Sequence, residues 1–399
     1  MMDGQTLATV FSNGWVLAIL GFLTVIGGIA AIDYFFDGWL KQRCYNGVIW
    51  CRHVVWRHRP LIIEHADDGQ VPVNSKYYVE RPPLEQECYK QIVQSSALLR
   101  IRATRQMGKS SLLVRALHYA EQQGYRTVYF SFQALDSPAL AKLDEFLQHF
   151  CASIAYRLKL PAFEPNKHWC GVLGSKDKCR RYMDTYLLAN KPLILGLDEV
   201  DKLFEYPAVA KDFFSMLRAW HEERNEAISQ QLHLILTYAQ ESFPLLNINE
   251  SPFNIGIVHY LPDFTPEQVT DLAKRHELSW QEPQITKLMS LVGGHPYLVR
   301  KAMYEVATGH CNLDKLLKTA AMDHGVYKDH LSRLARIVES DSKLKQALHT
   351  VLNSKTAINL DNETCSQLKT LGLVVEEDAT AMVRISRPLY QEYFTSYLR

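Results

Sequence analysis

The pattern of hydrophobic and polar positions changes character three times along the chain. Trp15 to Ile32, WVLAILGFLTVIGGIAAI, carries no charge and has Thr24 as its only polar side chain. A helix of this length spans about 27 Å, close to the thickness of bilayer hydrocarbon, so a transmembrane helix is predicted. A cleaved signal peptide would need a basic flank, whereas residues 1–14 contain only Asp3 as a charge. A buried core helix would show a polar face, and this segment has none. From Ala97 the pattern becomes short apolar runs. Ala97–Ala103 reads as a strand, and residues 110–123 as a helix with Leu112, Leu113, Ala116, Leu117 and Ala120 on one face. Pro192 to Leu197 is a continuous apolar run, as a strand buried on both faces requires, and it ends in Asp198-Glu199. Leu232–Leu236 is a further strand, ending at Thr237.

From Thr265 the spacing turns helical. Two amphipathic stretches within Thr265–Ala307 are separated by Gly293-Gly294-His295-Pro296, and Leu313–Val338 continues as helix. Leu344–Leu352 and Asn362–Leu371 follow as helices. Leu373–Glu376 and Met382–Ile385 form a hairpin around a polar turn, and Leu389–Leu398 closes the chain. That order predicts a winged helix. The fold class is therefore α/β: a parallel sheet with helices on both faces, then a helical lid, then a winged-helix domain. The boundaries are an N-terminal segment 1–40, a linker 41–75, the α/β domain 76–262, the lid 263–340 and the winged helix 341–399.

Charge adds direction to this layout. Lys41, Arg43, Arg52, Arg57 and Arg59 follow the apolar segment, with no acid between Asp37 and Glu64. The excess of positive charge puts that side in the cytoplasm and the N-terminus outside, as in a bacterial inner-membrane protein. Trp39, Trp50 and Trp56 interleave with these charges and suit a headgroup layer. Only about 14 residues precede the span, so any stimulus is expected from the cytoplasmic side or within the membrane. Over the whole chain Lys plus Arg number 44 against 43 for Asp plus Glu, which gives no global attraction to nucleic acid. Residues 341–399 hold seven basic and seven acidic side chains, and the second helix there has no arginine. Nucleic acid is therefore not an expected partner, and a protein-facing role is. The eight cysteines form no C-x-x-C pair, and Cys170 and Cys179 are too far apart for a common zinc knuckle.

The chemistry concentrates at Ala103 to Ser111. Met107-Gly108-Lys109-Ser110 reads as the end of a phosphate-binding loop, although G-x-x-x-x-G-K-[ST] asks for glycine where this chain has Ala103. The segment lies between a strand and a helix N-terminus, where backbone N–H groups and the helix dipole face an anion. Lys109 can reach the β- and γ-phosphates and Ser110 can ligate Mg²⁺. Ala103 is acceptable wherever φ stays negative. Asp198, at the end of its strand, is the second candidate Mg²⁺ ligand; Glu199 is the candidate base for the attacking water, and Thr237 a candidate γ-phosphate sensor.

Six runs carry a resemblance: YYVERPPLEQECY (77–89), IRATRQMGKSSLL, LGLDEVDKLFEYP (195–207), LNINESPFNIG (246–256), FTPEQVTDLAKRH (264–276) and LVGGHPYLVR (291–300). Together they resemble the bacterial AAA-like ATPases of STAND type, signalling NTPases, from about Tyr77 to the end of the chain. The family commonly reads Ala-Pro-Arg-Gln-Met-Gly-Lys in the loop, so Ala103 follows it and Thr104 departs from it. The resemblance implies that Ala103, Arg105, Gln106, Met107, Gly108, Lys109, Ser110 and Ser111 form the nucleotide loop. It implies that Tyr77 and Arg81, with Pro82, lie near the base, and that His295 and Pro296 belong to the lid element packed near the nucleotide. An arginine finger is not assigned; Arg105, Arg218, Arg275 and Arg300 stay open.

The expected function is that of a membrane-anchored, cytoplasmic ATP- and Mg²⁺-binding ATPase of slow turnover. It would act as a nucleotide-controlled switch in signalling, with defence or stress response as a fitting context. Its partners would be a cytoplasmic protein effector and, when ATP is bound, other copies of itself. The rival readings are a DNA-handling ATPase of the initiator or transposition-helper kind, and a membrane scaffold without hydrolysis.

Overall fold

A computed structural model of the chain describes residues 69–398 apart from 190, 224–225, 240–251 and 378–380. The predicted membrane span and the basic linker up to residue 68 lie outside the described residues. Among the described residues no helix is long and apolar enough to cross a membrane.

Five parallel strands make the central sheet: β1 (Leu98–Arg102), β2 (Arg126–Ser131), β3 (Leu193–Asp198), β4 (Leu232–Tyr238) and β5 (Ile257–Tyr260), in the order β2-β3-β4-β1-β5. Strict alternation divides the side chains between two cores. On one face Leu193, Leu195 and Leu197 of β3 join Leu232, Leu234 and Leu236 of β4. Residues 143–157 and 207–222, both helical, cover them with an aromatic cluster built on Phe132, Phe146, Phe150 and Phe213. On the other face Ile194 and Ile235 meet Leu99 and Ile101 of β1 under the helices Leu84–Ile92 and Lys109–Gln122. Gly196 lets the second of these pack closely: a Cβ there would stand 2.8 Å from Leu113 Cδ1 and 2.9 Å from Leu117 Cδ1.

Strands β1, β3 and β4 fall where the apolar runs place them. Strands β2 and β5 are not evident as such runs. Val128 and Phe130 are buried in β2 while its other positions are half-exposed, and β5 is an edge strand with Ile257 and Tyr260 exposed.

The helical region differs from the expectation in its number of breaks. Thr265–Ala307 contains three helices, Pro266–Arg275, Glu282–Val292 and Pro296–Ala307, the first ending before Glu277 at φ 60°. Leu313–Val338 is two helices, Leu313–Thr319 and Lys328–Ser340, interrupted by a turn at Gly325. A Cβ at Gly325 would press on the Thr319 and Ala320 carbonyls, so the turn is closed against the preceding helix end. The C-terminal order is helix Ser342–Asn353, short strand β6 (Ile358–Asn359), helix Asn362–Thr370, antiparallel hairpin β7 (Val374–Glu377) and β8 (Met382–Ile385), and helix Pro388–Tyr397. The helices of 264–340 and the C-terminal module share one hydrophobic core. It runs from Phe264 and Val269 through Leu298 and Leu331 to Leu389 and Phe394, and Tyr77 and Val79 enter it from ahead of the sheet.

Candidate nucleotide-binding site

The loop between β1 and the helix Lys109–Gln122 is built around Gly108, which is left-handed at φ 96° and precedes the first helical residue without a side-chain cap. The first N–H groups of a 14-residue helix are thus open toward the loop, the arrangement that binds anions. Lys109 is buried, and its Nζ donates to the Ala103 and Thr104 carbonyls at 3.0 and 2.9 Å. Burial pushes its ammonium below the usual lysine range, against the opposing pull of Asp201, Asp198 and Glu199. A lysine so desolvated, with three carboxylates across from it, is placed to gain from an added polyanion.

The acid pair comes from β3. Strand β4 lies between β1 and β3, so its end, Thr237, stands between the loop and Asp198-Glu199. Thr237 Oγ1 accepts the Glu199 backbone N–H at 3.0 Å and donates to Asp198 Oδ1. Tyr129 of β2 donates to the other Asp198 oxygen at 2.6 Å. Asp198 is therefore oriented from both sides. Glu199 follows at φ 57°, a strained left-handed position for a residue with a Cβ, and heads the short helix 200–205. Burial raises its pKa above the usual carboxylate range, and Asp198 and Asp201 add to the shift.

Arg81 connects the segment ahead of the sheet to the loop. One guanidinium nitrogen donates to the Met107 carbonyl at 2.8 Å and would stand 3.2 Å from a Cβ on Gly108. Its Nε and Nη1 are buried without a hydrogen-bond partner among the described residues. Arg115 fixes the arm 71–73 over the same helix by donating to the Val71 and Pro72 carbonyls, while its guanidinium lies 3.6 Å from the Tyr78 ring centroid. Ser111 serves that arm: its hydroxyl accepts the Val71 N–H at 2.9 Å. Tyr77 packs against the His276 ring, tilted by 31°, at 4.3 Å between centroids. His295 is buried near the Arg105 backbone. Burial holds its ring well below the usual histidine range, helped by Arg387 and His330.

These groups surround one cavity of about 890 Å³. Of the residues read from the sequence, Tyr77, Arg81, Arg105, Gln106, Gly108, Lys109, Ser110, Ser111, Glu199, His295 and Pro296 line it. Ala103, Met107, Asp198 and Thr237 stand behind that lining and act through their carbonyls or hydrogen bonds. Among the arginines left open, Arg105 and Arg300 line the cavity. Arg218 pairs with Glu222, and Arg275 is held by Asp271 and the Lys76 and Tyr78 carbonyls. Reading from the sequence missed Tyr129, Arg115, His330 and residues 69–71, where the chain enters the arm and lines the cavity. A tyrosine on an alternating strand carries no local mark of the carboxylate it meets.

The donor set fits a nucleoside triphosphate: an open helix N-terminus, Lys109 and an unspent Arg81. Among the described residues no cluster of three His, Cys, Asp or Glu could hold a metal by itself. Ser110 and Asp198 are the residues that would hold Mg²⁺, an ion that takes sparse protein ligation when phosphates complete its shell.

Sheet order, loop and acid pair define a P-loop ATPase fold. Residues 66–396 match the AAA-like domain family, and the chain belongs to it. An uncharacterized WD repeat-containing protein of Synechocystis sp. is 25% identical over 323 residues, 73% of this chain and 27% of that protein. The chain thus spans about a quarter of that relative's length. Among solved structures, the Walker-type ATPase of Pyrococcus abyssi aligns with a TM-score of 0.57 at 17% identity, covering 82% of this chain and 99% of that one. The Aeropyrum pernix ORC2 protein, in ADPNP–ADP complexes, aligns with a TM-score of 0.43 at 15% identity, over 82% and 98% of the two chains.

Proposed function

We propose that the chain is an ATP-binding, STAND-type ATPase that works as a nucleotide-controlled signalling switch, carried at the membrane by its N-terminal segment with the ATPase domain in the cytoplasm. The observation that carries this reading is the convergence of Lys109, Glu199 and the lid residues His295-Pro296 on one cavity, closed further by Thr370 and Leu371 of the C-terminal module. Lys109 and the N–H groups of its helix hold the β- and γ-phosphates. Ser110 and Asp198 hold Mg²⁺, which neutralises phosphate charge. Thr237 orients Asp198 and fixes the Glu199 backbone, and Glu199 accepts a proton from the attacking water.

Part of the cavity wall, His295 and Pro296 with Thr370 and Leu371, thus belongs to the region after the sheet. A change at the γ-phosphate alters the stability of lid and winged-helix closure, which is what a switch needs. A cytoplasmic effector and self-association in the ATP-bound state are the outputs this reading assigns. Defence or stress signalling is the context that suits them. The test is ATP titration of wild type and Lys109→Ala. Affinity should fall at least 10²-fold, about 2.7 kcal/mol, on loss of the buried charge. Equal affinity in both proteins would overturn the site.

A further inference from the structure

Gln106 sits inside the phosphate loop in the left-handed region, at φ 63°. Its side chain reaches away from the loop: Oε1 lies 2.7 Å from Nδ1 of His330, in the helix Lys328–Ser340. The other ring nitrogen of His330 lies 2.9 Å from the hydroxyl of Tyr390, in the closing helix Pro388–Tyr397. The two rings stack at 5.8 Å and 27°. His330 and Tyr390 are both buried. Arg387, one turn before Tyr390, hydrogen-bonds its hydroxyl and holds Asp263 through two bonds of 2.9 Å. Asp263 precedes Phe264, whose N–H donates to the Gly294 carbonyl at 2.7 Å, beside His295. A second contact runs alongside: the Thr104 side chain lies 3.4 Å from where a Cβ on Gly372 would stand, at the turn into β7.

The chemistry of this chain of bonds gives it a direction. An amide oxygen accepts only, so Nδ1 of His330 carries the proton, and Nε2 of the neutral ring then accepts from Tyr390. Each member fixes its neighbour's orientation, and the burial of His330 and Tyr390 keeps water from replacing the bond between them, while Gln106 is half-buried at the cavity wall. The linkage crosses three parts of the fold, from loop to lid to C-terminal module, with one residue in each.

We propose that Gln106–His330–Tyr390 is the linkage by which the state of the phosphate loop is transmitted to the closing helix 388–397. The proposal rests on the nucleotide reading above. The bistable element is the docking of that helix, and the loop biases it by holding or releasing His330 through Gln106. Coupling is reciprocal: what nucleotide does to the helix, the helix does to nucleotide affinity by the same factor.

The experiment is hydrogen exchange on the full chain in detergent, with and without ATP, read at the amides of 388–397 beside an ATP titration. In wild type, ATP should change exchange in that helix by about fivefold or more, the lower range of such couplings. Tyr390→Phe keeps the ring and removes only the hydroxyl. It should reduce the change to under about twofold while ATP affinity moves by no more than the coupling lost. Gln106→Ala lies in the nucleotide loop itself, so it is compared with wild type at saturating ATP, where a direct effect on affinity no longer matters; it should reduce the exchange change in the same way. The double variant should add nothing beyond either single change, because both cut the same linkage through His330. Persistence of the ATP-dependent change in either variant, or additive effects, overturns the linkage. ATP binding in wild type with no change at 388–397 overturns the linkage alone. Failure of wild type to bind ATP overturns the nucleotide reading and the linkage with it.

Discussion

Tyr129 donates its hydroxyl to Asp198 Oδ2 at 2.6 Å, across neighbouring strands β2 and β3. Asp198 is buried, so the bond compensates a carboxylate that water does not reach. Hydrogen bonds to charged groups contribute about 1.5–3 kcal/mol, and Tyr129→Phe should lower the unfolding free energy by that amount. Urea denaturation measures it. In a double variant with Asp198→Asn the losses should be less than additive; full additivity would show that the two side chains do not support one another.

Asp198 and Glu199 are adjacent but differently placed, and their variants should separate. Glu199→Gln keeps shape and hydrogen bonding and removes the base, so ATP binding persists while hydrolysis falls by roughly 10²- to 10⁴-fold. Asp198→Asn should weaken binding in the presence of magnesium. The raised pKa of Glu199 adds a pH signature: hydrolysis should decline as pH falls through a value above the usual carboxylate range, where the base becomes protonated. Paired measurements of ATP affinity and turnover decide the matter. Equal loss of binding in both variants would assign the acids a structural role. Wild-type turnover in Glu199→Gln would leave Asp201 as the next base to test.

His276 is buried against Tyr77 with neither ring nitrogen partnered among the described residues. Burial, with Arg300 and Lys76 nearby, brings its pKa from 6.5 down to about 3. The folded state therefore binds this proton more weakly than the unfolded chain. The stability it contributes is complete above pH 6.5 and is lost as pH falls toward 3. The loss rate is up to about 1.4 kcal/mol per pH unit. His276→Phe retains the ring contact and removes the titration, so thermal stability should fall less steeply with acid than in wild type. An unchanged slope would show that His276 does not govern that window.

The apolar segment 15–32 lies outside the described residues, and its role as an anchor is open to direct measurement. Deletion of residues 1–40 should move the protein from the membrane pellet to the supernatant at high salt, where attraction of the basic segment to anionic lipid is screened. A truncated protein that still pellets under those conditions would refute the anchor.

The phosphate loop, the acid pair and the strand ending in Thr237 were legible in the chain because each is local. A loop that binds phosphate needs its strand, its glycine and its helix N-terminus within a dozen residues, and a buried parallel strand is apolar throughout. The helices after the sheet were legible for the same reason, from their amphipathic spacing, although the breaks near Glu277 and Gly325 were not. What only the tertiary structure decided is which distant groups meet these local elements. Tyr129 reaches Asp198 over 69 residues, Arg81 reaches the Met107 carbonyl over 26, and His330 reaches Gln106 over 224. None of these residue types announces its partner, because a hydrogen bond across the fold depends on where the sheet order and the helix packing bring two side chains. The sequence determines the reactive elements through backbone geometry and periodicity; their orientation, their burial and their connection to the C-terminal helix arise only when three separate hydrophobic cores have closed around them.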